Sequence, residues 1–299
     1  MITRRALLLS AMGLAATAGL ASCTVPRPPG ARDPQASATD YPGRSATPVG
    51  PLAGIGAWEG AETSREIDHS GARWYYTWRP DNAGIEVPDD VEFVPMVASG
   101  ADLGPESLAK IPSTASTLLT FNEPDVLAQA NMSVEEMISV WPLVQDTGLR
   151  LGSPATSVFA DREGELFHRF MTEIDARGYR VDFVAAHWYP LPGLGDTFSV
   201  AAAVDSLQAY LEGIYKLYGR PIWLTELSLV TWYATYSTVQ PAEVQAEFLT
   251  AAVEMMRTLP YVERWAWFSL QPVRFALETA MYDDEAKATV VGNAFRAAA

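Results

Sequence analysis

Two glutamates stand where short apolar runs stop. The first closes the stretch Leu118-Leu119-Thr120-Phe121-Asn122-Glu123, followed by Pro124 and Asp125, and the second closes Pro221-Ile222-Trp223-Leu224-Thr225-Glu226. Apolar and β-branched runs of this length read as buried strands, and Pro124, which has no N–H to donate, stops the first ladder just past Glu123. Both carboxylates are therefore expected at the carboxyl ends of strands, where parallel sheets and barrels gather their ligands and catalytic groups. Two carboxylates facing each other there can divide the work of glycoside hydrolysis. One delivers a proton to the leaving oxygen, and the other attacks or stabilises the oxocarbenium-like centre. A separation of about 5 Å marks retention of configuration and roughly 6.5 to 9.5 Å marks inversion; distance along the chain does not choose between them. The acid needs apolar surroundings or a negative neighbour to stay protonated near neutral pH, and the nucleophile must stay ionised. Asn122 is placed to bind a sugar hydroxyl or to orient a carboxylate. The competing reading of either glutamate alone is an ordinary surface acid in an ion pair.

Eight short apolar runs could position such a pair: Leu52 to Ala57, Ala72 to Thr77, Glu92 to Val97, Thr117 to Phe121, Leu149 to Gly152, Asp182 to His187, Pro221 to Thr225 and Val262 to Phe268. Helical patterns lie between several of them. Ser133 to Gln145 opens with Ser133 and Glu136 in capping-box spacing; Glu163 to Arg177 places Leu166, Phe167, Phe170 and Ile174 on one face; Val200 to Tyr218 and Ala242 to Arg257 are also amphipathic. Alternating strands and helices predict an α/β fold with a parallel sheet, and eight of them over about 250 residues predict a single (β/α)8 TIM barrel from Pro48 to Ala299. A doubly wound open sheet is the alternative. Against it, Gly54-Ile55-Gly56-Ala57 runs into Trp58 and Glu59 where a backbone would have to approach a phosphate.

Aromatic residues crowd the same strand ends. Alternation places Trp74, Tyr76 and Trp78 on one face of the second strand, and Trp265 and Trp267 together on one face of the eighth. Trp78, Tyr189 and Trp267, nearest their strand ends, are the candidates for sugar contact. His187 sits in the same position in Ala186-His187-Trp188-Tyr189. Large aromatics also simply fill barrels, and a lone histidine is more often a structural donor than a catalyst.

The composition is 48% apolar and 11% aromatic, with nine Trp and twelve Tyr, as for a folded protein with a sizeable core. A formal charge of −15 makes nucleic acid and anionic membrane surfaces poor partners and is compatible with a neutral substrate. The amino terminus reads as an export signal over residues 1–22: Arg4 and Arg5, an apolar run from Ala6 to Leu20 that falls short of the roughly 20 residues needed to span a bilayer, then small residues. Thr3-Arg4-Arg5 looks like a twin-arginine signal. Leu20-Ala21-Ser22-Cys23 resembles a bacterial lipobox, which would make Cys23 the acylated first residue of the mature chain. Cys23 is also the single cysteine, which excludes an internal disulfide and a thiolate metal site. Residues 23–47, with Pro26, Pro28, Pro29, Pro34 and Pro42 and few large apolar side chains, read as a disordered tether of up to roughly 70 Å at about 3.1 Å per residue. No metal or cofactor is expected: His69, His168 and His187 are the only histidines, and none pair at helical ligand spacing. A monomer is expected.

The ordered set of stretches resembles glycoside hydrolase family 128, retaining endo-β-1,3-glucanases of clan A. It is carried by Phe93-Val94-Pro95-Met96, Leu118 to Asp125 with Gln129 to Ser133 and Trp141-Pro142, Leu151 to Ala155, Val181-Asp182-Phe183 with His187-Trp188-Tyr189, Pro221 to Glu226, and Arg264 to Phe268. The resemblance implies a (β/α)8 barrel with Glu123 as general acid/base and Glu226 as nucleophile. It also implies that Asn122 binds the hydroxyl next to the reacting carbon, that His187 and Tyr189 line the site, and that Trp267 forms a platform under the sugar. The chain departs from the family where Val97-Ala98-Ser99-Gly100 follows Met96 without a tryptophan, in the short loop from Pro190 to Thr197, and from Ser269 to Glu285. The expected partner is a β-1,3-glucan poly- or oligosaccharide, with membrane contact through the lipid anchor alone. The alternatives are a barrel hydrolase of another β-glycan and a non-catalytic glucan-binding lipoprotein.

Overall fold

Each of the eight apolar runs forms a strand. The computed structural model describes residues 50–192, 198–233 and 235–299; the export signal, Cys23, the tether and part of the loop from Pro190 to Thr197 lie outside the described residues. The strands are β1 (Leu52–Gly56), β2 (Trp74–Tyr76), β3 (Glu92–Phe93), β4 (Met96–Val97), β5 (Thr117–Asn122), β6 (Arg150–Ala155), β7 (Val184–Trp188), β8 (Ile222–Leu227), β9 (Val230–Trp232), β10 (Ser237–Val239) and β11 (Val262–Trp267). β3 and β4 are the two halves of the run expected as one strand, interrupted at Val94-Pro95, where Pro95 has no N–H for the ladder. The first half pairs with β2 and the second with β5, both parallel.

The parallel order β3-β2-β1-β11-β8-β7 and the order β4-β5-β6 form two arcs. They join at the β3/β4 break on one side. On the other, Gly152 bridges Phe183 in parallel, with Ser153 N–H donating to Phe183 O at 3.0 Å and Asp182 N–H to Leu151 O at 2.8 Å. The eight strand positions thus close into a (β/α)8 barrel.

Two apolar layers follow from the alternation of side chains. Trp74, Tyr76, Met96, Leu119, Phe183 and Trp223 fill the barrel interior. Rings of that size require small residues opposite them: a Cβ on Gly54 would lie 2.1 Å from the Trp74 ring, and one on Gly152 2.8 Å from Phe183. At the amino-terminal end the interior is closed by Arg264, whose guanidinium lies 4.0 Å from the Trp223 ring centroid and 2.7 Å from Glu92, and by Arg150 paired with Glu263 at 2.6 Å. The outer layer holds the strands against α1 (Thr63–Ser70), the short α2 (Pro105–Leu108), α3 (Val134–Asp146), α4 (Leu166–Arg177), α5 (Val200–Tyr218), α6 (Ala242–Met256) and α7 (Val290–Ala298). The expected capping box starts α3: Glu136 N–H donates to Ser133 Oγ at 3.2 Å, and Ser133 N–H to Glu136 Oε2 at 2.7 Å.

One expectation is corrected here. Trp265 and Trp267 do share a face, but β11 pairs Gly54 with Ala266 and Ile55 with Trp267, and the interior cluster takes Ala266. Trp267 therefore points outward into the layer under the helices. Its side chain is fully buried and its Nε1–H donates to Thr279 O at 2.9 Å, so it offers no platform to a sugar.

Candidate active site

Glu123 reaches the barrel mouth through a bend in its own strand. The register of β5 against β6 shifts between Thr120 and Asn122, and Phe121 and Glu123 take positive φ of 23° and 44°. Such backbone is costly for residues with a Cβ and persists only where neighbours hold it. Here Glu123 N–H donates to Ala155 O at 2.8 Å, and the following loop returns so that Ala130 N–H donates to Asn122 O at 3.1 Å and Met132 N–H to Pro124 O at 3.0 Å. Asp125 fastens the neighbouring loop by accepting from Ser157 N–H at 2.9 Å and Ser157 Oγ–H at 2.6 Å.

Glu226 lies within β8 opposite His187 of β7, just past a register shift between Ala186 and His187 that skips Thr225. Its carboxylate accepts from the Tyr189 hydroxyl at 2.5 Å, from Trp78 Nε1–H at 3.1 Å and, at the limit of a hydrogen bond, from the Tyr76 hydroxyl at 3.4 Å, whose better acceptor is Thr225 O at 2.9 Å. His187 lies between the two glutamates, Nδ1 being 3.4 Å from Glu123 Oε1 and 3.6 Å from Glu226 Oε2. One oxygen of each glutamate and His187 Nδ1 all fall within 4.8 Å of one another. Glu123, Glu226, Asn122, His187, Tyr189, Tyr76 and Trp78 are thus gathered at one end of the barrel; of the folded-domain candidates, Trp267 alone is elsewhere.

Burial is the first influence on Glu226 and pushes its carboxyl above the ordinary range; the nearby Glu123 adds to the push. His187 and the hydrogen bonds from Tyr189 and Trp78 pull the other way. For His187, burial opposes the charged form, but Glu226 and Glu123 outweigh it and raise its pKa above the usual histidine value. The Tyr76 and Tyr189 hydroxyls are held well above the ordinary tyrosine range by burial and by Glu226, and so remain donors. The trio of Glu123, His187 and Glu226 has the reach to hold a cation. The proton that the carboxylates favour on His187 opposes ligation through Nδ1. Two buried polar atoms, Asn122 Oδ1 and His187 Nε2, have no hydrogen-bond partner; Asn122 Nδ2 donates to Gln129 Oε1 at 3.3 Å. Unpaired polar atoms beside a carboxylate pair are places where a polyhydroxylated ligand gains hydrogen bonds.

Three aromatics of the mouth escaped the sequence reading. Trp58, 41% exposed, stacks on Trp78 with centroids 4.5 Å apart and planes within 21°. Phe268 meets Trp58 and Tyr189 edge-on at 5.8 and 6.1 Å, and Trp232 meets Tyr189 at 5.8 Å. The available signal for Trp58 was a tryptophan directly after the first strand, in the stretch weighed only as a phosphate turn. Trp232 belongs to the β9–β10 hairpin, for which the sequence offers no strong turn dipeptide.

Comparison with known proteins agrees with this geometry. Residues 55–295 match the family model described as glycosyl hydrolase catalytic core. Among solved structures, the chain is similar to a glycoside hydrolase family 128 (subgroup I) endo-β-1,3-glucanase from Amycolatopsis mediterranei in complex with laminaritriose, at 41% identity and a TM-score of 0.77, covering 84% of this chain and 100% of that one. A subgroup II endo-β-1,3-glucanase from Sorangium cellulosum matches at 25% identity and a TM-score of 0.67, covering 83% of this chain and 98% of that one. Among curated proteins, the alkali-sensitive linkage protein 1 of Schizosaccharomyces pombe is 28% identical over 208 residues, 67% of this chain and 35% of that protein. The chain therefore spans about a third of the length of that relative.

Proposed function

We propose that this chain, which belongs to glycoside hydrolase family 128 within the glycosyl hydrolase catalytic core, cleaves β-1,3-glucan by retaining double displacement. The observation that carries the reading is the Glu123–Glu226 pair: one oxygen of each lies within 4.8 Å of the other, close to the separation of about 5 Å that retention requires.

Glu226 is the nucleophile. Tyr189 and Trp78 donate to it, which favours the ionised form, and its side chain is the more deeply buried of the two. Its attack on the anomeric carbon also removes a charge that burial disfavours. Glu123 is the general acid/base. In the first step Glu226 forms an ester to the anomeric carbon while Glu123 gives its proton to the departing glycosidic oxygen. In the second, Glu123 takes a proton from water, the water oxygen bonds to the anomeric carbon, and the ester bond breaks to restore Glu226. His187, whose charged form the two carboxylates favour, lies between them and offsets their repulsion when it carries a proton. Asn122 Oδ1, otherwise unpaired, accepts from a hydroxyl of the bound sugar, and Trp78 with Trp58 supplies a flat apolar face.

The amino terminus places this activity outside the cytoplasm in our reading, with Cys23 lipidated and residues 23–47 as the tether to a bacterial membrane. Loss of lipid labelling and of membrane association in Cys23→Ala tests that part.

Product analysis of the chain with linear β-1,3-glucan, β-1,4-glucan and mixed-linkage glucan, beside Glu123→Gln and Glu226→Ala, tests the reaction. Oligosaccharides released from the β-1,3 substrate alone, and lost in both variants, are the expected result. Release from a different glycan would assign the site to that substrate, and binding without release would make the chain a glucan-binding lipoprotein.

A further inference from the structure

The hairpin that follows Glu226 carries aromatic surface that the reaction at the carboxylates does not use. β9 and β10 pair antiparallel, Ser237 with Trp232 and Val239 with Val230, and the turn between them closes where Tyr233 N–H donates to Tyr236 O at 2.9 Å. The turn brings the Tyr233 and Tyr236 rings face to face, centroids 4.5 Å apart and planes within 10°. One face of Tyr236 is occupied by this stack, yet 56% of the residue remains exposed. Ser237 Oγ–H donates to Phe275 O at 2.6 Å and so holds the loop after β11 beside the hairpin. Phe275 is 57% exposed.

At the base of the same hairpin Trp232 packs edge to face on Tyr189, whose hydroxyl is bonded to Glu226. Aromatic contacts therefore lead from the carboxylates through Tyr189 to Trp232, and from there the paired strands of the hairpin carry the chain out to the Tyr233–Tyr236 stack, beside which Ser237 holds the backbone of Phe275. Exposed rings are ordinarily disfavoured; the Tyr236 ring is already ordered by its stack on Tyr233, and the Phe275 ring lies against the Arg274 guanidinium, 5.4 Å from the ring centroid, so a ligand that covers their open sides meets little ordering cost.

We propose that Tyr236 and Phe275 form an outlying glycan ledge that binds glucosyl units of a β-1,3-glucan beyond those held at Glu123 and Glu226. The apolar C–H face of a glucosyl ring suits a flat aromatic surface open on one side, while its equatorial hydroxyls stay in water. Only chains longer than the catalytic cleft reach the ledge, so it sets the preference for polymer over short oligosaccharide. The proposal rests on the substrate class proposed above.

The test compares Tyr236→Ala, Phe275→Ala and the double variant with the unaltered chain in two assays. In the first, kcat/KM is measured on linear β-1,3-glucan and on laminaritriose; the polymer-to-trisaccharide ratio is expected to fall about tenfold in the double variant. Equal loss on both substrates would show that the hairpin only supports the cleft and would overturn the ledge, as would no loss on either. The second assay is sedimentation with insoluble β-1,3-glucan, which needs no turnover. A catalytically silent chain that still binds the glucan, and loses binding in the double variant, keeps the ledge while overturning the hydrolytic reading. Unchanged binding in the double variant overturns the ledge alone.

Discussion

The Tyr189 hydroxyl donates to Glu226 Oε2 at 2.5 Å, from the first residue past β7, the strand next to the one carrying Glu226. The contact makes the barrel's own register responsible for the state of the carboxylate. β7 and β8 pair in parallel, His187 falls opposite Glu226, and the next turn of chain brings the phenol over the acid. A charge-assisted bond of this kind favours the ionised form, against the upward push of burial.

Removing that donor should therefore be felt in rate and in pH dependence together. Tyr189→Phe loses one hydrogen bond to a charged acceptor, about 1.5 to 3 kcal/mol, or roughly one to two decades of kcat/KM. With the donor gone the Glu226 carboxyl rises further, so the acid limb of the pH profile moves to higher pH. A kcat/KM profile that falls in height without moving sideways would show that the phenol acts on the sugar and not on Glu226.

Burial of Glu226 has a stability consequence of known sign. Its folded-state pKa lies above the unfolded value, so the stability tied to this group is fully present below the ordinary carboxylate pKa and is lost as pH rises through the folded value. Glu226→Gln, which carries no charge to bury, should melt higher than the unaltered chain at neutral pH, with the advantage shrinking as pH falls toward about 4. Thermal melts of both proteins across that range check it; an advantage that grows toward acid would contradict it.

Gly56 controls the other donor. A Cβ there would lie 2.6 Å from the Trp78 ring and 3.1 Å from the Tyr76 hydroxyl. Gly56→Ala should cost about 1 to 3 kcal/mol of stability as the rings are forced aside, and kcat/KM should drop as well because Trp78 Nε1 leaves Glu226. Chemical denaturation beside kinetics on β-1,3-glucan reads both effects.

The two tryptophans exchanged between expectation and structure give opposite signatures. Trp58→Ala, at an exposed ring beside Trp78, should raise KM about tenfold with little change in melting temperature. Trp267→Ala opens a cavity in the outer core and should cost about 3 to 5 kcal/mol of stability. A rise in KM confined to the Trp267 variant would restore that residue as the sugar platform.

Both glutamates were legible because an apolar run followed by a breaker is a local signal, and a strand end is a functional position in a parallel sheet. The shared face of Trp74, Tyr76 and Trp78 was legible for the same reason: the three rings line up, Tyr76 lying 5.9 Å from Trp74 and 4.8 Å from Trp78. Which face of β11 looks inward was not. Alternation puts Trp265 and Trp267 together but leaves the choice of side to pairing with β1 and β8, where the register shifts between Val262 and Arg264. Trp58 and Trp232 lie outside the barrel strands, and contacts made by loops and a short hairpin depend on where distant strand ends converge. The upward push on Glu226 was equally hidden, since depth of burial belongs to the assembled barrel and not to the run of residues around the acid.

The stereochemistry of hydrolysis tests the account most directly. Proton NMR of laminari-oligosaccharide hydrolysis, recorded before mutarotation, should show the β-anomer of the new reducing end first, as two carboxylates close enough for double displacement require. The α-anomer appearing first would mean that water attacks in a single step, and the retaining role assigned to Glu226 would be wrong.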